Sequence, residues 1–146
     1  MSSELELVEH DPDWFHQFEL EKNRLLELPT LHEISIEHIG STAVETLSAK
    51  PIIDIMLGCS SDLLEAVVKV LNSNGYSKGG FLYTKTDFLM FRQPQPVTHI
   101  LHIIDPLEQE YQDKLAFRDL LRSDEKVRKN YQALKTKMVR RLRDYR

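Results

Sequence analysis

Residues 33–57 read EISIEHIGSTAVETLSAKPIIDIML, and this stretch decides the fold. From Glu33 to Ile39 apolar and polar residues alternate, the period of a strand with one buried face. The alternation stops at Gly40-Ser41-Thr42, a turn that opens a short segment able to begin a helix. Pro51 to Leu57 is nearly all apolar, as in a central strand covered on both sides. Two strands thus flank a Gly-Ser turn, and one carboxylate, Asp54, stands inside the second.

Working outward, residues 11–28 read as a helix. Asp11 suits the cap and Pro12 the first turn, and Trp14, Phe15, Phe18, Leu25 and Leu26 recur at helical spacing. After the apolar strand, Ser60 or Ser61 can cap a helix whose apolar side is Leu63, Leu64, Val67, Val68 and Leu71; Asn74-Gly75 ends it. Residues 79–92 and 97–105 are two β-like runs joined through Pro94 and Pro96, an expected antiparallel pair. Asp105-Pro106 starts a helix to about Arg122. Ser123 caps the last helix, where Val127, Tyr131, Leu134, Met138 and Leu142 make one stripe. The expectation is one α+β domain over residues 1–146. Its mixed sheet has strands near 33–39, 51–57, 81–92 and 97–104, and its helices lie near 11–28, 61–73, 107–122 and 124–144.

A chain of 146 residues with 41% hydrophobic and 29% charged residues can fill one core and is not disordered in composition. No apolar run approaches the ~20 residues of a membrane helix. The acidic start, Met1-Ser2-Ser3-Glu4, lacks a signal peptide's basic and apolar regions. Cys59 stands alone, which excludes an internal disulfide framework and a zinc site of several thiolates. These features set the expectation of a cytoplasmic domain with no membrane association. Net charge is −4 overall. Residues 1–30 carry eight acids and two bases, whereas residues 124–146 carry nine bases and three acids. A basic last helix can meet a polyanion, but the favoured reading is a solvated face near the acidic first helix. Nothing else points to nucleic acid.

Asp54 is the residue least at home. Amid Ile52, Ile53, Ile55, Met56 and Leu57, an unpaired carboxylate is costly to bury, so it lies at a strand end, is paired, or is used. Lys50 is the structural partner to consider. In the functional reading, Gly40 and Ser41 offer backbone N–H groups to a phosphate, Ser41 and Thr42 add hydroxyls, and Lys50 adds a cation. Asp54 would then hold a metal against that phosphate. His99 and His102 are three apart on one strand, which places them on opposite faces unless a bulge intervenes. Glu37 and His38 oppose each other in the same way. Walker A, dinucleotide-binding and His-Glu-x-x-His patterns are absent.

The run Glu37-His38-Ile39-Gly40-Ser41-Thr42-Ala43-Val44, followed by Leu47 to Ile55, closely resembles the signature of the GrpB family. So do Thr98 to Ile103, Phe117 to Arg122, Tyr131 to Lys135, and the opening Asp11-Pro12-Asp13-Trp14 with Phe18. The likeness spans essentially the whole chain. It implies the nucleotidyltransferase superfamily and a DNA polymerase beta-like fold: a Gly-Ser turn, an Asp-x-Asp or Asp-x-Glu pair, and a third acid from a later strand. Here the pair is Asp54 and Met56, and a thioether is no ligand for magnesium. The third-acid strand is the one with His99 and His102. Domains of this family also occur fused to dephospho-coenzyme A kinases, which implies a nucleotide or coenzyme A context.

Two functions follow as expectations. One is a protein that binds a nucleotide or other phosphorylated small molecule and transfers a nucleotidyl group with a divalent metal (Mg, Mn or Zn). In it Gly40, Ser41, Thr42 and Lys50 bind the ligand, Asp54 is catalytic, and Asp54, Glu37, His99 and His102 hold the metal. The other is a non-catalytic binding or regulatory module that has lost the second acid; the residue at Met56 favours it. A metal-dependent hydrolase using Asp54 and the histidines is a weaker third.

Overall fold

The computed structural model describes residues 6–81, 85–92 and 96–144, with side chains up to Arg141. In chain order it contains α1 (Asp13–Leu26), β1 (Ser35–Ile39), a 3₁₀ turn (Ser41–Ala43), β2 (Ile53–Gly58), a second 3₁₀ turn (Ser61–Leu63) and α2 (Leu64–Asn72). Then follow β3 (Tyr76–Phe81), β4 (Phe88–Arg92), β5 (His99–Ile104), α3 (Gln109–Ser123) and α4 (Glu125–Asp144). The five strands form one sheet in the order β1-β2-β5-β4-β3. β2 and β5 run parallel at its centre, and the other neighbours pair antiparallel. This is the expected mixed α+β architecture.

Strand alternation sorts the two faces. Ile36, Ile53, Ile55, Leu57, Leu101, Ile103 and Met90 pack with Trp14, Phe18 and Leu25 of α1 and Val67, Val68 and Leu71 of α2. The opposite face carries Glu37, Ile39, Asp54, Met56 and His102. There Ile39, Met56 and Ile104 meet Tyr111 and Leu115 of α3. A third apolar group, Val44, Leu47 and Leu121 with Val127 and Tyr131, clamps α4 onto α3 and onto the segment after the Gly-Ser turn. Leu134 and Met138 of the expected stripe are exposed beyond that clamp.

Three local expectations are corrected. The 79–92 run is not one strand but a pair, β3 and β4, antiparallel with a register shift between Lys78 and Gly80; residues 82–84 and Pro94 lie outside the described residues. Tyr76-Ser77-Lys78-Gly79-Gly80 is poor in strand formers, but Gly79 is needed there: a Cβ on it would sit 2.2 Å from the Phe91 ring. At the start of α4 the cap is Asp124, whose carboxylate accepts the Val127 N–H at 3.1 Å. Ser123 instead donates its hydroxyl back to Asp119 O. Ahead of α2, Ser61 donates its N–H and hydroxyl to Asp105 rather than capping the helix.

On the α1 side one charge is fully enclosed. Glu21, 3% exposed, accepts from Arg24, from Arg92 at 2.7 Å and from the Tyr76 hydroxyl at 2.6 Å. Burial alone would raise its pKa; these donors outweigh it and hold the carboxyl below its ordinary value. The partner of the acidic first helix is therefore Arg92 of β4. The basic last helix is held by α3 and the 44–48 segment.

Candidate functional site

Gly40 leaves β1 with φ of +76° and ψ of −175°, a conformation essentially restricted to glycine. A Cβ here would also stand 2.8 Å from Asp54 Oδ2. The turn and the carboxylate therefore touch because residue 40 has no side chain. The register explains why: Ile39, the last residue of β1, pairs with Asp54 at the start of β2. Asp54 is thus close to a strand end, with 30% of its side chain exposed.

Across the parallel β2–β5 pair, His102 lies beside Met56 on the same face. Its Nε2 is 3.0 Å from Asp54 Oδ1, and its Nδ1 is 2.8 Å from Asp87 Oδ2. Asp87 is fully buried; the Lys114 ammonium lies 3.9 Å from its carboxylate and 3.7 Å from that of Glu110. Burial pulls the imidazole pKa down, but the hydrogen bonds and charges of the two carboxylates win and raise it to about 9. At neutral pH His102 is an imidazolium donating to both acids.

A cavity of about 190 Å³ opens over this group, lined by Gly40, Ser41, Asp54, His102, Lys114 and Arg118 among others. Lys135 of α4 meets the Gly-Ser turn. Its Nζ donates to Ser41 Oγ at 2.5 Å and to Ser48 O at 2.9 Å. Burial is the main cause that lowers its pKa, to about 8, against the pull of Asp54. Gln132, one helical turn earlier, accepts the Ser48 N–H at 2.7 Å. The last helix is thereby pinned to the Gly-Ser turn. Phe117 rests edge-on against Tyr131 at the rim and is 46% exposed.

Of the residues singled out from the sequence, Gly40, Ser41, Asp54 and His102 come together. The others are placed elsewhere. Thr42 is buried and bonded through its hydroxyl to His38 Nε2 at 2.9 Å. Lys50 is exposed and makes no ion pair among the described residues, so it is not the partner of Asp54. Glu37 is tied to Arg118 at 2.7 Å. His99 lies on the opposite face, buried and bonded to Thr98 Oγ1, as the odd spacing required. The cations near the turn, Lys114 and Lys135, and the buried anchor Asp87 are residues that sequence reasoning missed. Lys135 stood within a quoted motif; nothing in the sequence signals that its ammonium meets Ser41, a residue 94 positions away.

The donor set does not suit a divalent metal. Both ring nitrogens of His102 are engaged by carboxylates, at 3.0 Å to Asp54 and 2.8 Å to Asp87, so neither faces an open coordination position. Met56, where a second acid would stand, is fully buried among Ile39, Ile104 and Tyr111. Among the described residues no group of three or more His, Cys, Asp or Glu side chains is arranged to hold an ion.

The mixed α+β sheet, with its Gly-Ser turn against an aspartate on the neighbouring strand, is the architecture of a nucleotidyltransferase-like family, the class to which the comparisons assign the chain. The chain belongs to the GrpB family, whose model, described as GrpB protein, matches residues 4–146. It is 31% identical over 145 residues to the glutamate-rich protein GrpB of Alkalihalophilus pseudofirmus, covering 93% of this chain and 82% of that one. A UPF0157 protein of Halalkalibacterium halodurans is 32% identical, with 94% of this chain and 71% of the relative covered. Among solved structures, the conserved protein GrpB from Enterococcus faecalis superposes with a TM-score of 0.84 at 30% identity, over 95% of this chain and 86% of that one. No helix among the described residues is long and apolar enough to cross a membrane.

Proposed function

We propose that the protein is a binding module for a phosphorylated ligand of the nucleotide class, and that it works without metal-dependent transfer. The observation that carries this reading is the Lys135 ammonium on Ser41 Oγ, beside a cavity that Gly40, Ser41 and Lys114 line. Ammonium groups and a hydroxyl at the edge of a glycine turn are suited to phosphoryl oxygens. A volume of about 190 Å³ is small beside ordinary ligand sites of about 300–1,000 Å³. It matches the phosphoryl end of a ligand whose remainder lies outside, where exposed Phe117 offers a ring face to a base.

Transfer is disfavoured because two-metal phosphoryl chemistry needs carboxylates to hold both ions. Here one acid position is Met56, and Asp54 is engaged by the His102 imidazolium. The test is isothermal titration with ATP, pyrophosphate and inorganic phosphate, with and without magnesium. We expect saturable, magnesium-independent binding that Lys135→Met weakens about tenfold, the worth of one charged hydrogen bond. No saturable binding, or binding untouched by Lys135→Met, overturns the reading.

A further inference from the structure

A second, larger cavity of about 640 Å³ is lined by Ile36 to His38 of β1, by Ala43 to Thr46 and by side chains of α1, α3 and α4. We propose that it is a separate anion site, for a small molecule bearing a phosphate or carboxylate on an apolar ring. The reading does not rest on the first cavity.

Its cations are Lys22 of α1, Arg118 and Arg122 of α3, and Arg128 of α4. They differ in how far they are already satisfied. Arg118 is committed to Glu37, to Asp119 and to His38 O. Arg128 donates to the carbonyls of Leu121 and Arg122. Arg122 uses only Nε, on Ala43 O at 2.9 Å. Its two terminal nitrogens have no acceptor and no ion-pair partner among the described residues. A guanidinium fixed at one end, with its forked donors free and facing a cavity, is preorganised for bidentate recognition of an oxyanion.

The surroundings fit the same ligand. Glu19 and Glu45 line the cavity but are exposed, so they are solvated at its mouth. Glu37 is neutralised by Arg118. Burial and then the charge of Arg118 depress the Arg122 pKa, against the smaller opposing pull of Asp119 and Glu37, neither of which pairs with it directly. His38, stacked on Phe18 at 4.7 Å, responds to the same field. Burial first, then Arg122 and Arg118, push it down to about 3, so it stays neutral. Phe15 and Val44 supply the apolar wall for a ring. The anion end thus faces Arg122 and Lys22, and the ring lies against Phe15.

Phenyl phosphate is the probe, titrated against the full chain and followed by calorimetry. We expect saturable binding, weakened about tenfold by Arg122→Gln. Arg122→Gln also removes the Ala43 contact, so Lys22→Glu is the second variant. Among the described residues the Lys22 ammonium has only a distant contact with the Phe18 ring, at 6.0 Å, so its reversal is expected to leave the fold intact. Weakening in either variant, with the melting temperature and circular dichroism preserved, upholds the site. No saturable binding up to about 10 mM, or equal affinity in wild type and both variants, overturns it. The second result, with affinity lost in Lys135→Met, assigns phenyl phosphate to the first cavity.

Discussion

Asp54→Asn separates charge from hydrogen bonding at the centre of the site. Asparagine keeps an acceptor oxygen near His102 Nε2 but removes one of the two negative charges that hold the imidazolium. A His102 pKa of about 9 against the ordinary 6.5 corresponds to roughly 3 kcal/mol, at about 1.4 kcal/mol for each tenfold. Asp87 is fully buried at 2.8 Å, whereas Asp54 is 30% exposed at 3.0 Å, so the larger share belongs to Asp87. We assign about 1 kcal/mol to the charge of Asp54. Because the folded pKa is raised, this stabilisation is complete below pH 6.5 and is lost as pH rises through about 9. Wild type is therefore expected to exceed Asp54→Asn by about 1 kcal/mol in urea melts at pH 6, and the two converge near pH 10. NMR titration of the His102 ring should show its pKa falling by about one in the variant. A wild-type His102 that titrates near 6.5, or a stability gap that widens with pH, refutes the reasoning.

Other consequences are equally direct. Gly40→Ala meets both a glycine-only conformation and a 2.8 Å overlap with Asp54 Oδ2, so it should lose about 2–3 kcal/mol in chemical denaturation. Glu21→Gln leaves Arg92 and Arg24 short of a counter-charge. Because both are about a third exposed, the expected loss is about 2 kcal/mol rather than the roughly 3–5 of a fully buried pair, and a double-mutant cycle with Arg92→Met measures it. The lowered pKa of Glu21 gives the opposite pH sign to His102. Its stabilisation is present above pH 4.5 and is lost as pH falls through the folded value, so the wild-type advantage over Glu21→Gln should shrink in acid melts. Asp87→Asn should cost more than Asp54→Asn, because it removes the buried partner from His102.

The sheet and four helices were legible because their patterns are local. Alternation from Glu33 to Ile39 and the apolar run from Ile52 to Leu57 announce their strands without help from distant residues. β3 was not legible. Its Gly79-Gly80 reads as a loop until Phe91 is known to need the space where a Cβ would be. The faces of His99 and His102 followed from period two alone. The identity of their partners did not, since Asp87 reaches His102 only through the register that sets Leu89 opposite it. Lys50, seven residues past Ala43 at the turn's end, is the cation that proximity in sequence suggests. Folding brings Lys135 instead, because Gln132 and Lys135 lie one turn apart on α4 and both grip Ser48.

The same register carries the argument about chemistry one step further. Glu37, Met56 and His102 form a row across three strands, and Asp54 sits two residues before Met56 on the same face. In a two-metal site such a row supplies anions, and the ions cancel their repulsion. Here the row is partly balanced internally: Arg118 neutralises Glu37, Met56 contributes no charge, and Asp54 and Asp87 share the positive charge of His102, with Lys114 3.9 Å from Asp87. Asp54 is therefore already engaged by a cation at neutral pH, which weakens the electrostatic drive for a metal to enter. What remains for an incoming anion is Lys135 at the turn, Lys114 being paired with Asp87 and Glu110. A positive imidazolium fixed 3.0 Å from Asp54 also lessens the repulsion between that carboxylate and a phosphate placed beside Gly40. Raising the pH through about 9 discharges His102 and restores that repulsion, and Lys135, held down to about 8, discharges over the same range. Phosphate or ATP affinity should accordingly be strongest near neutral pH and fall steeply between pH 7.5 and 9.5, by more than tenfold if both charges act. Calorimetric titrations at several pH values check this, and an affinity flat across that interval removes both groups from the binding surface.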